Sequence, residues 1–218
     1  MDVISEAQQI LRMPVGWLRL DLDFDLAIWK EESLSIRNQL VEHREGEGHL
    51  GWRSCCLHGI DIGKTGHWSR YADKESDVEY KWTDLKTKVP NIYKFWKMFP
   101  AEKYARLRFM ELEPGGFISP HCDAPDGLKN TEFDMMDHMI PINVAVTHPD
   151  DCYMQLENYG RVPWSEGTGF VVNITDTHSV YNHSHQSRMH IIAHCIIGDK
   201  KKEFSELITR SYKKYHAD

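Results

Sequence analysis

Three His-x-Asp pairs stand in this sequence: His121/Asp123, His148/Asp150 and His216/Asp218. In an extended strand, side chains i and i+2 share a face, so an imidazole and a carboxylate at that spacing can converge on one metal ion. A second histidine from a distant strand would complete a facial set of two histidines and one carboxylate. Such a set leaves open positions on Fe(II) for a chelating cosubstrate and O2. With 13 histidines and 17 aspartates in 218 residues, about one such pair arises by chance, so the motif alone discriminates little. His216/Asp218 closes the sequence with no ligand downstream of it. His148/Asp150 encloses Pro149 in a turn-like Thr-His-Pro-Asp-Asp stretch, poorly suited to strand display. His121/Asp123 follows an extended approach through Leu112-Glu113-Pro114-Gly115-Gly116-Phe117-Ile118 and is the pair carried forward.

His178 supplies the distant imidazole, and Arg188 follows it ten residues later across an expected hairpin turn, 182–187. A guanidinium there is suited to a bidentate pair with a carboxylate. If the metal chelates the 2-oxo acid end of a dicarboxylate, the cation must sit one molecule-length away, and two adjacent strands supply that separation. His43/Arg53 has the same spacing but precedes every His-x-Asp pair and lacks a hairpin.

The elements that must position these residues are legible as pattern. Residues 26–42 and 83–98 have apolar residues at helical spacing, the second with Pro90 suited to a helix's first turn and Pro100 ending it. Residues 52–57 read as a short strand before a glycine-bearing loop, and 67–81 as a polar surface loop. Further strands are expected at 104–112, 117–121, 140–147, 152–157, 169–174, 179–182 and 188–197, with Glu113-Pro114-Gly115-Gly116 as a turn and the last two strands as a hairpin. Residues 203–216 read as a terminal amphipathic helix. This pattern is mainly β with helices (α+β), a β-sandwich or jelly roll with helices on one side. We read 1–218 as one domain: 1–103 helical or irregular support, 104–197 the jelly-roll core and 198–218 a C-terminal helix.

Composition bounds the rest. The chain has 41% hydrophobic and 27% charged residues and a net charge of −7, which disfavours a nucleic-acid partner. No apolar run is long enough for a transmembrane helix, and the first residues lack a secretory pattern, so a cytoplasmic protein with no membrane partner is expected. Five cysteines without a C-x-x-C pair predict reduced thiols. Oligomeric state leaves no signature.

The ordered set His121-x-Asp123 … His178-x9-Arg188 resembles the Fe(II)/2-oxoglutarate-dependent oxygenases. Three segments resemble more narrowly the aspartyl/asparaginyl β-hydroxylase-like branch: Glu113 to His121; Ile142-Asn143-Val144-Ala145-Val146 with Pro149 and Cys152; and Trp164-Ser165-Glu166-Gly167 through His178 and Arg188. The resemblance covers roughly residues 104–197 and implies a double-stranded β-helix, or cupin-like jelly roll. It implies Fe(II) held by His121, Asp123 and His178, with 2-oxoglutarate as cosubstrate, its C5 carboxylate on Arg188, and O2. Hydroxylation of a C–H bond would release succinate and CO2, on a small-molecule or peptide substrate: a free amino acid or a peptide Asp, Asn or Pro side chain. The namesake hydroxylases bind iron with two histidines and no carboxylate. This chain has Asp123 there, as the wider superfamily does, so a shared substrate does not follow. Asn143 falls where the family has a cosubstrate-contacting histidine, and Met110 where it has a serine.

Other residues keep alternative readings. His190 and His194 share strand parity with Arg188; His190 is either a cosubstrate or substrate contact or a buried structural histidine. Arg106 and Arg108 alternate with apolar residues, which favours a solvated sheet face over an acidic-group anchor. Trp52 and Trp164 favour core packing. Residues 124–137 form either a lid over the metal or a plain surface insertion. From another functional class, a cupin-like metal-binding protein without oxygenase activity uses the same ligands; Arg188 argues against it.

Overall fold

The computed structural model describes residues 2–123, 136 and 138–216. In chain order its elements are α1 (Val3–Leu11), β1 (Trp17–Leu20), α2 (Leu26–Ser35), β2 (Val41–Glu42), β3 (Leu50–Gly59), β4 (Lys81–Trp82), α3 (Pro90–Met98), β5 (Lys103–His121), β6 (Met139–Thr147), β7 (Cys152–Leu156), β8 (Gly160–Arg161), β9 (Gly169–Val172), β10 (His178–Asn182), β11 (Arg188–Ile196) and α4 (Lys201–Tyr215). The strands form one strongly curled antiparallel sheet in the order β1-β9-β6-β11-β5-β10-β7-β8, with β3 against β5 and the short β2 and β4 on β3. This is the jelly-roll architecture, with four helices covering its outer face.

Strand pleat sorts the residues. Along β11, Met189, Ile191, Ala193 and Cys195 join the core beneath the helices, while Arg188, Ile192 and His194 line the interior cavity. Along β5, Leu107 and Phe109 face the helices, while Arg106, Arg108 and Met110 face inward. A second, smaller core of Met110, Leu112, Ile118, Met154, Phe170, Val172 and Val180 packs inside the curl. Helix α3 begins at Pro90, with proline in its first turn as its fixed φ favours. The buried Glu32 carboxylate from α2 accepts the Asn91 and Ile92 amides at that helix start, each at 2.9 Å. The expected helix over 26–42 is shorter: it stops at Ser35, and the chain passes through a 3-10 turn into β2.

Three further sequence expectations fail. Glu113-Pro114-Gly115-Gly116 is not a turn: β5 runs unbroken through it. The chain bulges instead, taking five steps from Leu112 to Phe117 where β3 takes two from Trp52 to Leu50. Gly115 adopts φ +74°, and Gly116 leaves no space beyond its Cα. The residues that make turns also make bulges, so local chemistry does not separate the two. Nor do β10 and β11 form a hairpin. Both pair with β5, β11 along its first half and β10 along its second, so β5 lies between them. Residues 1–103 are also more than support, because β1 and β3 are strands of the sheet.

The bulge fixes the bend that carries β5 from one half of the curl to the other. A Cβ on Gly116 would lie 2.8 Å from the carbonyl oxygens of both Glu113 and Leu50, whereas one on Gly115 would meet nothing within 4 Å. Gly116→Ala is expected to cost about 2–3 kcal/mol by urea denaturation, because backbone must move. Gly115→Ala should cost only about 1 kcal/mol, its positive φ. Equal losses would show that the close approach at Gly116 relaxes freely.

Candidate active site

The interior of the curl holds a cavity of about 360 Å³. His121 is the last residue of β5 and His178 the first of β10, and the two sit directly opposite each other in the register. Asp123 lies just past the strand end, so the shared strand face expected for the pair is not what places it. Its backbone N–H donates to the Ile174 carbonyl at 3.0 Å, which docks the residue against the segment leading into β10. His121 Nε2 lies 3.6 Å from one Asp123 oxygen and His178 Nε2 4.0 Å from the other. One ligand atom from each of the three residues falls within 4.8 Å of the others, and the imidazole centroids are 4.4 Å apart.

The chemistry of this donor set fits a divalent metal ion. His121 Nδ1 faces the Ser119 carbonyl at 2.8 Å and His178 Nδ1 the Asp176 carbonyl at 3.0 Å. A carbonyl only accepts, so each Nδ1 carries the proton and each Nε2 presents its lone pair toward Asp123. Burial holds the His178 imidazolium form below its usual range, which keeps the ring a neutral ligand. Asp176 sets that turn by accepting the Asn158 backbone N–H at 3.0 Å. Arg44 reaches in from the loop before β3, with Nη1 3.5 Å from Asp123.

Arg188 lines the same cavity at 2% exposure. Its Nε has no acceptor, and no carboxylate pairs with it, among the described residues. What it does have is a chain of imidazoles. His148 Nε2 lies 2.8 Å from the Cys152 carbonyl, so that nitrogen carries the proton. His148 Nδ1 then accepts from His190 Nε2 at 3.0 Å, and His190 Nδ1 is left as an acceptor. It takes Arg188 Nη2 at 2.8 Å. Asn143 Oδ1 also lies 2.8 Å from that nitrogen, so the amide packs against the same side of the ring. Both rings are held neutral: His148 falls to about 4, by burial first and the Arg188 charge second, and the fully buried His190 is held well below its usual range by burial, then by Arg188 and His148. Trp164 closes over His190 with ring centroids 4.7 Å apart.

The six residues singled out from sequence, His121, Asp123, His178, Arg188, Asn143 and His190, therefore lie in or directly against one cavity. Sequence reasoning missed His148, because it was weighed only as half of a second His-x-Asp pair. It also missed Arg44 and Arg70, which reach the cavity from loops outside the jelly-roll strands. Arg106 and Arg108 correct the expectation of a solvated face. Arg108 is 6% exposed, because that side of β5 is the inner face of the curl, where Thr65 and His43 meet the guanidinium, and both arginines line the cavity with His194. Trp52 is a cavity wall, its ring centroid 6.3 Å from that of His121. His216 accepts the Arg19 amide at 3.0 Å, a structural role. Met136 apart, the proposed lid at 124–137 lies outside the described residues.

The relay has a pH signature. His148 resists protonation down to about 4 when folded but titrates near 6.5 when unfolded. The unfolded state therefore binds the extra proton in that window. The stability is fully present above pH 6.5 and falls as pH drops toward 4. His148→Gln removes this titration and should flatten the pH dependence between 7 and 4.5 by about 1–3 kcal/mol, discounted for the solvent the ring still meets. An unchanged slope in chemical denaturation would place the proton elsewhere.

The model of the family described as aspartyl/asparaginyl beta-hydroxylase matches residues 23–196. That span starts well before the 104–197 covered by motif resemblance and takes in β3, while β1 precedes it. No curated protein matches. Among solved structures, the chain is similar to an oxidoreductase of the 2OG-Fe(II) oxygenase family from Burkholderia pseudomallei, at 14% identity and a TM-score of 0.51, covering 87% of this chain and 88% of that one. It is also similar to a prolyl-4-hydroxylase from Pseudomonas putida, at 14% identity and a TM-score of 0.47, covering 88% and 96%. A third is a prolyl hydroxylase from Trichoplax adhaerens in complex with a hypoxia inducible factor peptide fragment, at 8% identity and a TM-score of 0.48, covering 93% and 95%. The likeness to the Burkholderia pseudomallei structure bears on fold, and the family match bears on chemistry: this chain belongs to the aspartyl/asparaginyl β-hydroxylase family within the Fe(II)/2-oxoglutarate-dependent oxygenases, and is a 2-oxoglutarate-dependent hydroxylase.

Proposed function

We propose that His121, Asp123 and His178 hold Fe(II), that Arg188 anchors the C5 carboxylate of 2-oxoglutarate, and that the enzyme hydroxylates a C–H bond of an amino-acid-like substrate. That substrate is a free amino acid or a peptide Asp, Asn or Pro side chain. The observation that carries the reading is the pairing of two features in one cavity: three convergent ligand atoms, and a buried guanidinium with no carboxylate of its own among the described residues.

Bound iron would supply the O2 chemistry that turns 2-oxoglutarate into succinate and CO2 and oxidises the substrate. The protein's residues do the positioning. Arg188 offers its free Nε–H to a carboxylate oxygen, a charge-assisted bond that offsets the cost of its burial. His190 accepts from Nη2 and so holds the guanidinium at a fixed angle. His148 in turn fixes the His190 tautomer, and the Asn143 side chain packs beside it. Met110, directly opposite His190 in the β5–β11 register, gives the cosubstrate an apolar wall. It cannot donate as a serine would, so the anchor rests on Arg188. Ile118, Val180 and Val172 line the cavity and limit water around the reacting atoms.

Purified protein loaded anaerobically with Fe(II) should bind one metal per chain and form succinate from 2-oxoglutarate in air. His121→Ala and Asp123→Ala should each cut both metal content and succinate formation by about 100-fold or more, since each removes one of three ligands. Succinate formation that survives His121→Ala would refute the ligand assignment.

A further inference from the structure

Arg188 is not the only arginine buried without a counter-ion on this cavity. Arg108 is 6% exposed and lines the cavity. Its Nη1 donates to the Thr65 carbonyl at 2.8 Å and faces His43 Nε2 at 3.4 Å, and its Nε has no acceptor. Among the described residues no carboxylate pairs with it. Arg106 is the next inward residue on β5; its Nη2 lies 3.5 Å from His194 Nδ1, again with no carboxylate partner among the described residues. Two further arginines reach the same region, but both are paired: Arg44 with Glu47 at 2.7 Å and with Asp123, and Arg70 with Glu47. The neighbouring imidazoles cannot neutralise anything. Burial and the adjacent arginines hold His43 and His194 in their uncharged forms.

The cost is visible in Arg108 itself. Burial, then repulsion from Arg106, pulls its pKa down to about 10, and the more distant Asp123 offsets only part of this. A buried charge without a partner is costly and survives only if something returns the energy. The cosubstrate does not reach it. Arg108 sits opposite Ile192 and Arg188 opposite Leu112, four residues apart along the same strand pair, or about 13 Å at strand rise. One short dicarboxylate held at Arg188 leaves Arg108 unsatisfied.

We propose that Arg108, with Arg106 beside it, is a second anion position that takes a carboxylate or phosphate group of the substrate, remote from the carbon to be oxidised. Naming the bound molecule the substrate rests on the oxygenase reading above; the anion position rests on the burial of Arg108 alone. The site selects against neutral analogues, because an amide in place of the acid leaves the guanidinium buried and unpaired. It also gives Arg44 a place in the geometry, since it connects this cluster to Asp123.

The test uses the full chain loaded with Mn(II) and saturated with N-oxalylglycine, which fills the Arg188 end. Acetate, inorganic phosphate, L-aspartate and L-proline are then titrated at constant ionic strength by calorimetry, alongside acetamide and L-prolinamide. At least one anionic probe should bind saturably to the wild type. Its affinity should fall about tenfold or more in Arg108→Gln, the loss of one charge-assisted bond, and less in Arg108→Lys and Arg106→Gln. N-oxalylglycine affinity should stay within about twofold throughout, because the positions are separate. Whether acetate or phosphate binds better identifies the group. Should Arg108→Gln not fold, Arg108→Lys and Arg106→Gln carry the comparison. Equal probe affinity in wild type and variants, amides binding as well as acids, or no saturable binding of any anion to the wild type would each overturn the proposal. If N-oxalylglycine fails to bind the Mn(II)-loaded wild type, the oxygenase reading falls, while the anion comparison, then run without it, still stands or fails by itself.

Discussion

Buried positive charge organises this protein. Arg188 and Arg108 both sit on the interior cavity, 2% and 6% exposed, and neither has a carboxylate among the described residues. Removing a guanidinium from water costs several kcal/mol unless a partner restores the interaction. Elsewhere the fold meets that cost internally: the buried Glu111 on the outer side of β5 is paired with Arg37 and lies 3.6 Å from Arg53. On the inner side it uses imidazoles and carbonyls instead. These acceptors orient the cations without cancelling their charge, and a cavity arranged in that way is complementary to anions it does not itself contain.

The strand β5 carries that arrangement. Its first half, clasped by β3 and β11, displays Arg106, Arg108 and Met110 to the interior; after the bulge at Gly115–Gly116 its second half delivers His121 opposite His178. One continuous strand thus sets the distance between the anion-binding residues and the three ligand atoms. Backbone carbonyls finish the work. The Ser119 and Asp176 carbonyls accept from Nδ1 of His121 and His178 and so keep the proton on those nitrogens, and the Cys152 carbonyl does the same for Nε2 of His148 in the relay behind Arg188. Tautomers that look like side-chain properties are therefore decided by where the main chain places its oxygens.

Much of this was legible in the sequence, and the failures share a cause. Order and spacing single out His121, Asp123, His178 and Arg188, which the fold brings to one cavity, and alternation marks most strands, because both signals are local. The strand pairing was not: nothing near residues 182–187 records that β5 separates β10 from β11, so an ordinary hairpin was the natural reading. Glu113 to Gly116 carries turn residues that serve a bulge. Arg106 and Arg108 alternate with apolar neighbours as a half-exposed strand would, and only the curl of the sheet, with His43 and Thr65 some forty to sixty residues earlier, makes that face interior. His148 escaped because a proline follows it and its importance lies in a contact 42 residues away in the chain.

The account stands or falls on whether one molecule is gripped at both ends, by metal at His121, Asp123 and His178 and by Arg188. Anaerobic calorimetry of 2-oxoglutarate binding to the Mn(II)-loaded wild type, His178→Ala, Arg188→Met and the double variant measures this directly. Each single change should weaken binding by about 100-fold or more, as expected for removing one partner of a buried charged contact. The double variant should show no measurable binding. Wild-type affinity in Arg188→Met, or binding indifferent to the metal, would contradict the account.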